Sequence, residues 1–505
     1  MNTPSFDLDA YKHQLTTFPN ITFEEYQSLT DEQVRQDIAQ KNKILQTDAY
    51  NRTMTHIKGE RASREETFVF SMRKAPENAF LVIDGIRKTL KHLLATPITQ
   101  HELDFAKDFY ADQEKRGGVG YFNASLWQEV VNQGGYLPLT IRAVADGTLL
   151  RAKEPVMVVT GPSELAAHFE ADFIRSFYKS KVATDAQRLE QLMEDDHASF
   201  ATKVCEQGKR AAINESSHLD AAASLVVGAG LKKTSNDAAA LVYPQLLTGG
   251  TTAHRFYSSY PSEQEAMEAA VQKTDHIALL TDLVETDHGV DQVLDIKERY
   301  RNTPKVIFPR LDSGDTHAMT ISTLQKQKER GMMDPDRDKV IVSEGINSEE
   351  KIRTLENAVR EEGLGTEFLS YGIGGQLVSH EKTRDAVSAA YKLTHTPDGP
   401  TGKLSDDIGK ESIPGKLNIE IRDGVRYLVQ EDEEVRGERL LRTVYENGRF
   451  IYDTNDLKAI DDARAQVLKT LQRAEFPTQE SEQTRQLHLQ VREKLLAQLL
   501  AFEKS

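Results

Sequence analysis

Four short apolar runs in the middle of the chain recur at nearly constant spacing, and each closes on polar residues. They begin at Ile277, Lys305, Lys339 and Glu367, which lie 28, 34 and 28 residues apart, with charged stretches between them. This rhythm is typical of successive βα units of a parallel sheet, whose strand ends share one edge. In a (β/α) barrel that edge is the active-site face. An open doubly wound sheet follows the same rule, so the spacing alone leaves both architectures open.

The residues before this repeat predict an extension and part of a second domain. Residues 1–43 are expected to form an N-terminal helical extension, in which Thr30 to Gln33 has the spacing of a capping box. Residues 44–161 alternate strand-like and helical runs and predict the N-terminal part of an α/β domain. The barrel-like domain is assigned to residues 162–395.

The residues after the repeat are expected to complete the α/β domain over 396–505. Residues 394–416 hold four glycines and three prolines, too many for regular elements. Strand-like runs follow, including one at Tyr427, and leucines at helical spacing predict an amphipathic helix over about 479–503.

The composition narrows the possible partners. With 63 Lys and Arg against 79 Asp and Glu, the formal net charge is −16, which disfavours binding to duplex nucleic acid or anionic lipid. The start lacks the features of a signal peptide, and no stretch approaches the roughly 20 apolar residues of a membrane span. The single cysteine, Cys205, excludes an intramolecular disulfide framework. We therefore expect a cytoplasmic protein without a nucleic-acid or membrane partner.

Two motifs at the predicted strand edge could bind a phosphorylated ligand. Arg310 to Asp315 places a guanidinium beside two carboxylates and a hydroxyl, which suits an anion and a developing cation but also describes an ordinary ion pair and turn. Tyr371 to Gly375 contains three glycines that allow backbone amides to approach a phosphate, and a simple tight loop is the alternative. Ser343 to Asn347 could form the other half of this cradle or simply cap a helix.

Residues 175–255 are nearly neutral, although the whole chain carries a net charge of −16. They hold ten Lys and Arg against nine Asp and Glu, which makes this region the predicted anion pocket. Its basic patches, Glu206 to Arg210 and Lys232 to Asn236, equally describe solvated loops. The run Gly249 to His254 ends in a histidine that, taken alone, describes a surface or packing residue.

Taken together, these motifs resemble those of the nicotinate phosphoribosyltransferase family, with the nicotinamide phosphoribosyltransferases as near relatives. The resemblance runs from about Ile44 to Lys416, in the family's order. Its motifs are Thr47-Asp-Ala-Tyr50, Glu206-Gln-Gly-Lys-Arg210, Thr234-Ser-Asn236, Gly250-Thr-Thr-Ala-His254, Asp282, Arg310-Leu-Asp-Ser-Gly-Asp315, Tyr371-Gly-Ile-Gly-Gly375 and the series Tyr391-Lys-Leu, Lys403-Leu-Ser, Lys410 and Pro414-Gly-Lys416.

The resemblance implies an α/β fold, namely an irregular (β/α) barrel with a second α/β domain built from the N- and C-terminal segments. It also implies a head-to-tail homodimer with the active site at the subunit interface. The implied reaction of NAD salvage joins nicotinate to 5-phosphoribosyl 1-pyrophosphate, coupled to ATP hydrolysis. Magnesium is expected to arrive on the pyrophosphate substrate, so no dedicated protein ligand for a metal is named.

The same resemblance implies roles for individual residues. Asp282 and Asp312 would stabilise an oxocarbenium-like transition state, Arg310 and Arg210 would neutralise substrate charge, and His254 would accept a phosphoryl group from ATP. Tyr50, from the partner subunit, would stack on the pyridine ring. The expected phosphate contacts are Ser343, Gly345, Gly374, Gly375, Arg384, Lys392 and Lys403.

Base selection is expected to depend on Thr234 and Ser235. The nicotinamide users carry an Asp where this chain has Ser235, and a carboxylate there would repel the carboxylate of nicotinate. Nicotinate is therefore the predicted base. Nicotinamide is the alternative, because Asp237 is close by and the loop Gly372-Ile-Gly-Gly resembles the nicotinamide branch. Gln207 replaces the apolar residue common at that position in the family, and this departure leaves room for a relative without activity. A non-catalytic nucleotide-binding relative is the third possibility.

Overall fold

The computed structural model describes residues 7–75, 80–193, 199–346, 348–403, 411–451, 456–471 and 478–502. These residues form two compact units. The split unit is drawn from Met1–Tyr178, Thr383–Ala459 and Gln466–Ser505, and the barrel unit from Lys179–Lys382 and Ile460–Ala465.

The helices and strands are numbered in chain order. The α-helices are α1 Leu8–Thr16, α2 Phe23–Ser28, α3 Glu32–Lys41, α4 Ala49–Lys58, α5 Ile86–Leu94, α6 Gln100–Lys115, α7 Ala124–Asn132, α8 Ser163–His168, α9 Glu170–Arg175, α10 Phe177–Met193, α11 Phe200–Lys203, α12 Glu215–Ala229, α13 Asp237–Val242, α14 His254–Tyr257, α15 Glu263–Lys273, α16 Thr286–Arg299, α17 Thr316–Glu329, α18 Glu349–Glu361, α19 Gly375–Val378, α20 Arg384–Val387, α21 Asp456–Leu471 and α22 Glu482–Phe502.

The strands are β1 Glu65–Met72, β2 Leu81–Val82, β3 Thr140–Ala143, β4 Leu149–Leu150, β5 Pro155–Pro162, β6 Val204–Glu206, β7 Lys233–Thr234, β8 Leu247–Thr248, β9 His276–Leu280, β10 Val306–Leu311, β11 Val340–Val342, β12 Leu369–Ile373, β13 Ala389–Thr396, β14 Gly399–Pro400, β15 Leu417–Arg422, β16 Val425–Gln430, β17 Glu438–Arg439, β18 Arg442–Glu446, β19 Arg449–Phe450 and β20 Thr478–Glu480. Short 3₁₀ helices lie at Lys43–Leu45, Gly59–Ser63, Lys209–Ala211 and Thr366–Phe368.

The barrel unit is built on a seven-stranded sheet in the order β8-β7-β6-β12-β11-β10-β9, and all its described strand pairs are parallel. The sheet is curled into a half-barrel, so the predicted fold class is confirmed and the flat doubly wound alternative is excluded. The four apolar runs of the sequence are β9 to β12, and α16, α17 and α18 connect them. Packing of these helices is close, because a Cβ at Gly289 of α16 would lie 2.0 Å from the carbonyl oxygen of Thr281.

The split unit contains a second seven-stranded sheet, in the order β14-β13-β1-β5-β3-β18-β19. Its described pairs are antiparallel, and β1 from the N-terminal segment lies between β5 and β13. Strands from both ends of the chain therefore share one sheet, as the fold prediction required. A four-stranded sheet, β17-β15-β16-β20, is formed by the C-terminal segment alone.

Several local predictions need correction. The box predicted at Thr30 is wrong, because α3 starts at Glu32 and the Asp31 side chain accepts from the Val34 amide. An Asp carboxylate is as good an N-cap as Thr, and the reciprocal capping box lies instead at Thr22 and Glu25 of α2.

The C-terminal segment is more regular than its glycines and prolines suggested. Strand β13 continues to Thr396 and pairs with β14 at Gly399–Pro400. The predicted tail helix is present as α22, while Glu503 and residues 404–410 lie outside the described residues. The described helices include none with the length and apolarity of a membrane span.

Candidate active site

The carboxyl ends of β9 to β12 bring seven of the fifteen predicted site residues to one edge of the half-barrel. Arg310 lies in β10, two residues before Asp312, and its Cα pairs with Leu280 of β9 and Ile341 of β11. Asp282 lies two residues after β9, and Ser343 directly follows β11. The parallel register therefore places these four side chains side by side, as expected for the functional edge of such a sheet.

Arg310 is the most constrained cation of this edge. Its guanidinium donates to the Asp312 carboxylate at 2.6 Å, the Ser343 hydroxyl at 3.1 Å and the Thr252 carbonyl at 2.8 Å. Only 7% of the residue is exposed. The three contacts fix the plane of the guanidinium, which suits bidentate binding of a phosphate.

His254 lies between the two predicted catalytic carboxylates. Its Nε2 is 3.2 Å from Oδ1 of Asp282, and its Nδ1 is 4.0 Å from Oδ2 of Asp312. The imidazole is half exposed, whereas only 5% of the Asp282 side chain is exposed. The contact lacks hydrogen-bond geometry, so Oδ1 of Asp282 is buried without a hydrogen-bond partner among the described residues. A buried carboxylate oxygen in that state favours a positive charge developing close to it.

The segment that carries His254 also covers the free edge of β9. Thr252 donates through its hydroxyl to the carbonyl of Ala278 at 2.9 Å, and its hydroxyl lies 2.8 Å from that of Tyr257. The Tyr257 hydroxyl accepts from the Leu280 amide at 2.7 Å. Burial raises the pKa of Tyr257 to about 12, so the phenol stays neutral. Helix α14 and its histidine are thereby anchored to the strand that precedes Asp282.

We expect Tyr257→Phe to weaken this anchor. The Leu280 amide would be buried without an acceptor, which costs about 1–3 kcal/mol. The measurement is the free energy of unfolding, from denaturant titration monitored by circular dichroism. Tyr300→Phe is the matched control, because the Tyr300 hydroxyl has no hydrogen-bond partner among the described residues. Equal stability of the two variants would contradict the anchoring role.

The two glycine-containing turns lie next to each other because β11 pairs with β12. Gly345 has φ +75°, and a Cβ there would also lie 2.6 Å from the Thr316 hydroxyl, so the turn requires glycine. Gly374 and Gly375 begin the short helix α19. The structure therefore brings both halves of the predicted cradle together, while Asn347 lies outside the described residues.

The predicted base-binding motifs follow β6 and β7, which are also neighbours. The Ser235 amide donates to the Glu206 carbonyl at 2.8 Å, and the Thr234 hydroxyl donates to the Glu206 carboxylate at 2.6 Å. Ser235 and Arg210 are exposed beside these buried partners. Gly208 is crowded, because a Cβ there would lie 2.9 Å from the carbonyl oxygen of Gly374. The base motifs and the glycine turn of β12 are thus in contact.

The remaining predicted site residues lie in the split unit, where Tyr50 and Lys392 are both close to Glu170. The Tyr50 hydroxyl donates to the Glu170 carboxylate. Burial lowers the pKa of Lys392, and the nearby cations Arg73, Lys403 and Arg384 lower it further, while Glu170 opposes the change. Tyr50, Arg384, Lys392 and Lys403 therefore form one mainly cationic cluster, which we call the split-unit cluster.

Several residues that shape the site carried no sequence signal of their own. His218, Thr252 and Tyr257 act through hydrogen bonds to segments distant in the chain, although Thr252 lies inside a quoted motif. Among the described residues, no three His, Cys, Asp or Glu side chains come together as a metal site.

Comparisons with known proteins show which family this chain resembles. Residues 248–449 match the model of the nicotinate phosphoribosyltransferase (NAPRTase) family. A nicotinate phosphoribosyltransferase of Mycobacterium tuberculosis is 26% identical over 417 residues, covering 81% of this chain and 82% of that protein. One from Caenorhabditis elegans is 25% identical, covering 74% and 72%. The resemblance predicted from the motifs is confirmed.

The relatives also include a nicotinamide phosphoribosyltransferase of Xanthomonas campestris, 23% identical over 73% of this chain and 86% of that protein. Among solved structures, human nicotinic acid phosphoribosyltransferase superimposes with a TM-score of 0.63 at 18% identity, covering 87% of this chain and 98% of that one. The described fold is therefore similar to that of a solved structure named as a nicotinic acid phosphoribosyltransferase.

Proposed function

We propose that this chain, a relative of the nicotinate phosphoribosyltransferases, transfers the phosphoribosyl group of 5-phosphoribosyl 1-pyrophosphate to nicotinate in NAD salvage. The observation that carries the proposal is the arrangement of Asp282, His254, Asp312 and Arg310 at one strand edge, beside two adjacent glycine turns. The bond from C1 of the ribose to the pyrophosphate oxygen breaks, and a bond from C1 to the ring nitrogen of nicotinate forms. Pyrophosphate leaves with the electron pair of the broken bond.

The two carboxylates suit the charge that develops in this reaction. Loss of pyrophosphate builds positive charge on the ribose, which Asp282 and Asp312 would stabilise. Arg310 and the exposed Arg210 would bind the anionic leaving group and substrate. Gly345, Gly374 and Gly375, with the Ser343 hydroxyl, would hold the 5′-phosphate, since backbone amides in such turns bind phosphate.

ATP enters the proposal through His254. An imidazole between two carboxylates is oriented as a nucleophile, and a phosphoryl group on it would stand beside the pyrophosphate site. ATP would be the co-substrate. Mg²⁺ would be carried by the pyrophosphate substrate, and the ion would neutralise part of the substrate's charge. The described residues offer no cluster of their own for the ion.

A homodimer completes the proposed site. Tyr50 and the cations of the split-unit cluster would come from the partner subunit in a head-to-tail arrangement. Three apolar side chains of the barrel unit, Ile213, Leu241 and Val284, are 86%, 84% and 78% exposed, and a partner subunit could cover them. A cytoplasmic location stays part of the proposal.

The base is the least constrained part of the function. Ser235 offers a neutral hydroxyl, which does not repel the carboxylate of nicotinate as an Asp at this position would. This favours nicotinate as the base. Asp237 is exposed at the start of α13, two residues on, and would favour nicotinamide if it faced the ring. The similarity to the Xanthomonas campestris protein keeps this second base under test.

Competition between the two bases is the decisive experiment. The mass of the protein in solution is measured first, to give its oligomeric state. The protein is then incubated with 5-phosphoribosyl 1-pyrophosphate, both bases and Mg²⁺, with and without ATP, and the mononucleotides are separated. We expect nicotinate mononucleotide in at least about tenfold excess, since one charge contact is worth about 1.4 kcal/mol or more.

Two results would change the assignment. An excess of nicotinamide mononucleotide would transfer the function to the second base, and Asp237→Ser should then reverse the preference. Release of no pyrophosphate with either base would indicate a non-catalytic nucleotide-binding relative.

A further inference from the structure

A buried carboxylate with neutral partners lies beneath the proposed base site. Glu206 is fully buried at the end of β6. Its Oε2 accepts from the Thr234 hydroxyl at 2.6 Å, and its Oε1 accepts from the Gly208 amide and lies 3.0 Å from Nε2 of His218. A buried carboxylate persists only when donors surround it, so the state of His218 decides how Glu206 is held.

The Asn236 side chain determines that state. Its Oδ1 accepts from the Lys209 ammonium at 2.9 Å and from the Ala238 amide at 3.0 Å. Its Nδ2 lies 2.8 Å from the Glu215 carboxylate and 3.0 Å from Nδ1 of His218. Both neighbours of Oδ1 are donors, so the amide cannot be reversed, and Nδ2 must donate to His218.

The tautomer of His218 follows from these contacts. Because Nδ1 accepts from Asn236, it carries no proton, and the ring is neutral with its proton on Nε2. That proton points at Glu206, 3.0 Å away. His218 is fully buried on α12. Its two ring nitrogens contact Glu206 and Asn236 directly, so the three side chains form a continuous series of hydrogen bonds.

These hydrogen bonds hold together the two segments expected to contact the base, which follow β6 and β7. The backbone amide of Asn236 donates to the Thr234 hydroxyl at 3.1 Å, and the backbone amide of Ser235 donates to the Glu206 carbonyl at 2.8 Å. Ser235 is therefore an exposed residue between two buried neighbours, Thr234 and Asn236, whose side chains are both held by hydrogen bonds. The position of Ser235 relative to Gln207 and Arg210 therefore depends on His218, whose side chain is fully buried.

We propose that His218 is a positioning residue for base recognition, holding Ser235 in register with the Gln207–Arg210 turn through Glu206 and Asn236. The inference rests on the proposed function, since it concerns how the pyridine carboxylate is selected. His218 does not touch the substrate, and its effect is transmitted by the two hydrogen bonds of one neutral imidazole.

Variants that keep one arm each test the proposal. A glutamine places a donor near Nε2 and retains the Glu206 arm, an asparagine places an acceptor near Nδ1 and retains the Asn236 arm, and leucine loses both. For His218→Leu we expect the KM for nicotinate to rise about 30-fold, from two lost hydrogen bonds. The KM for 5-phosphoribosyl 1-pyrophosphate should rise far less than the KM for nicotinate, because of its expected contacts only Arg210 follows β6 and the others lie elsewhere. His218→Asn should recover most of the loss and His218→Gln part of it.

His168→Gln is the matched control. His168 is a second buried histidine, bonded to the Lys43 carbonyl at 3.0 Å in the split unit, so its variant should lower stability without raising the KM for nicotinate selectively. An equal rise of both KM values in the His218 variants, or the same selective rise in His168→Gln, would overturn the positioning role.

A spectroscopic measurement needs no variant. In the ¹⁵N-labelled wild-type protein, long-range ¹H–¹⁵N correlation should show His218 with a protonated Nε2 and an unprotonated Nδ1. A doubly protonated ring at neutral pH would overturn the inference. The proposed function fails separately, if the wild-type protein converts neither base.

Discussion

Replacing Arg310 with lysine is expected to lower kcat/KM for 5-phosphoribosyl 1-pyrophosphate by about 10³-fold, or roughly 4 kcal/mol. The guanidinium contacts Asp312, Ser343 and the Thr252 carbonyl at once. A lysine ammonium is a point charge without the planar fork, so it cannot make these contacts and still present two parallel donors to a phosphate. Loss of the fork would also release Asp312 from its position beside His254.

Steady-state kinetics on the purified variant measure this effect, with circular dichroism to check folding. Arg299→Lys is the matched control, because Arg299 is half exposed on α16 and pairs with Glu268 at 2.6 Å. A surface pair of this kind contributes about 0.2–1 kcal/mol, so its kinetics should stay near wild type. If Arg310→Lys kept more than about a tenth of the activity, charge alone would suffice and the fork would be unnecessary.

The positions of Asp282, Arg310 and Asp312 could be predicted because they depend on local sequence. Each lies where an apolar strand ends, and strands of a parallel sheet end at one edge. Periodicity could not separate a barrel from a flat sheet, because curvature depends on how the whole sheet packs.

Contacts between distant segments lie beyond such reasoning. Tyr257 bonds the amide of Leu280, 23 residues on, and His218 joins the ends of β6 and β7. Neither residue belongs to a motif, and an isolated histidine or tyrosine in a sequence carries no sign of its partner. The clustering of Arg384, Lys392 and Lys403 was expected only from the family resemblance, and charge patterning alone did not indicate it.

The second large effect is expected at His254. His254→Ala should reduce labelling of the protein by ATP carrying a radioactive γ-phosphate to background, and should remove the increment in rate that ATP provides. The imidazole is half exposed to incoming ATP, while Asp282 and Asp312 lie 3.2 and 4.0 Å from its two nitrogens. Alanine removes the acceptor and leaves both carboxylates in place, so the loss would be assigned to phosphoryl transfer.

The label itself identifies the acceptor, because a phosphoryl group on histidine nitrogen is labile in acid and stable in alkali. His288→Ala is the matched control, since His288 is an exposed histidine on α16 of the same unit and should retain full labelling. Acid-labile label that persists in His254→Ala would move the acceptor to another histidine. Complete absence of label in the wild-type protein, together with an ATP-independent rate, would separate phosphoribosyl transfer from ATP hydrolysis and leave Asp282, Asp312 and Arg310 as the catalytic set.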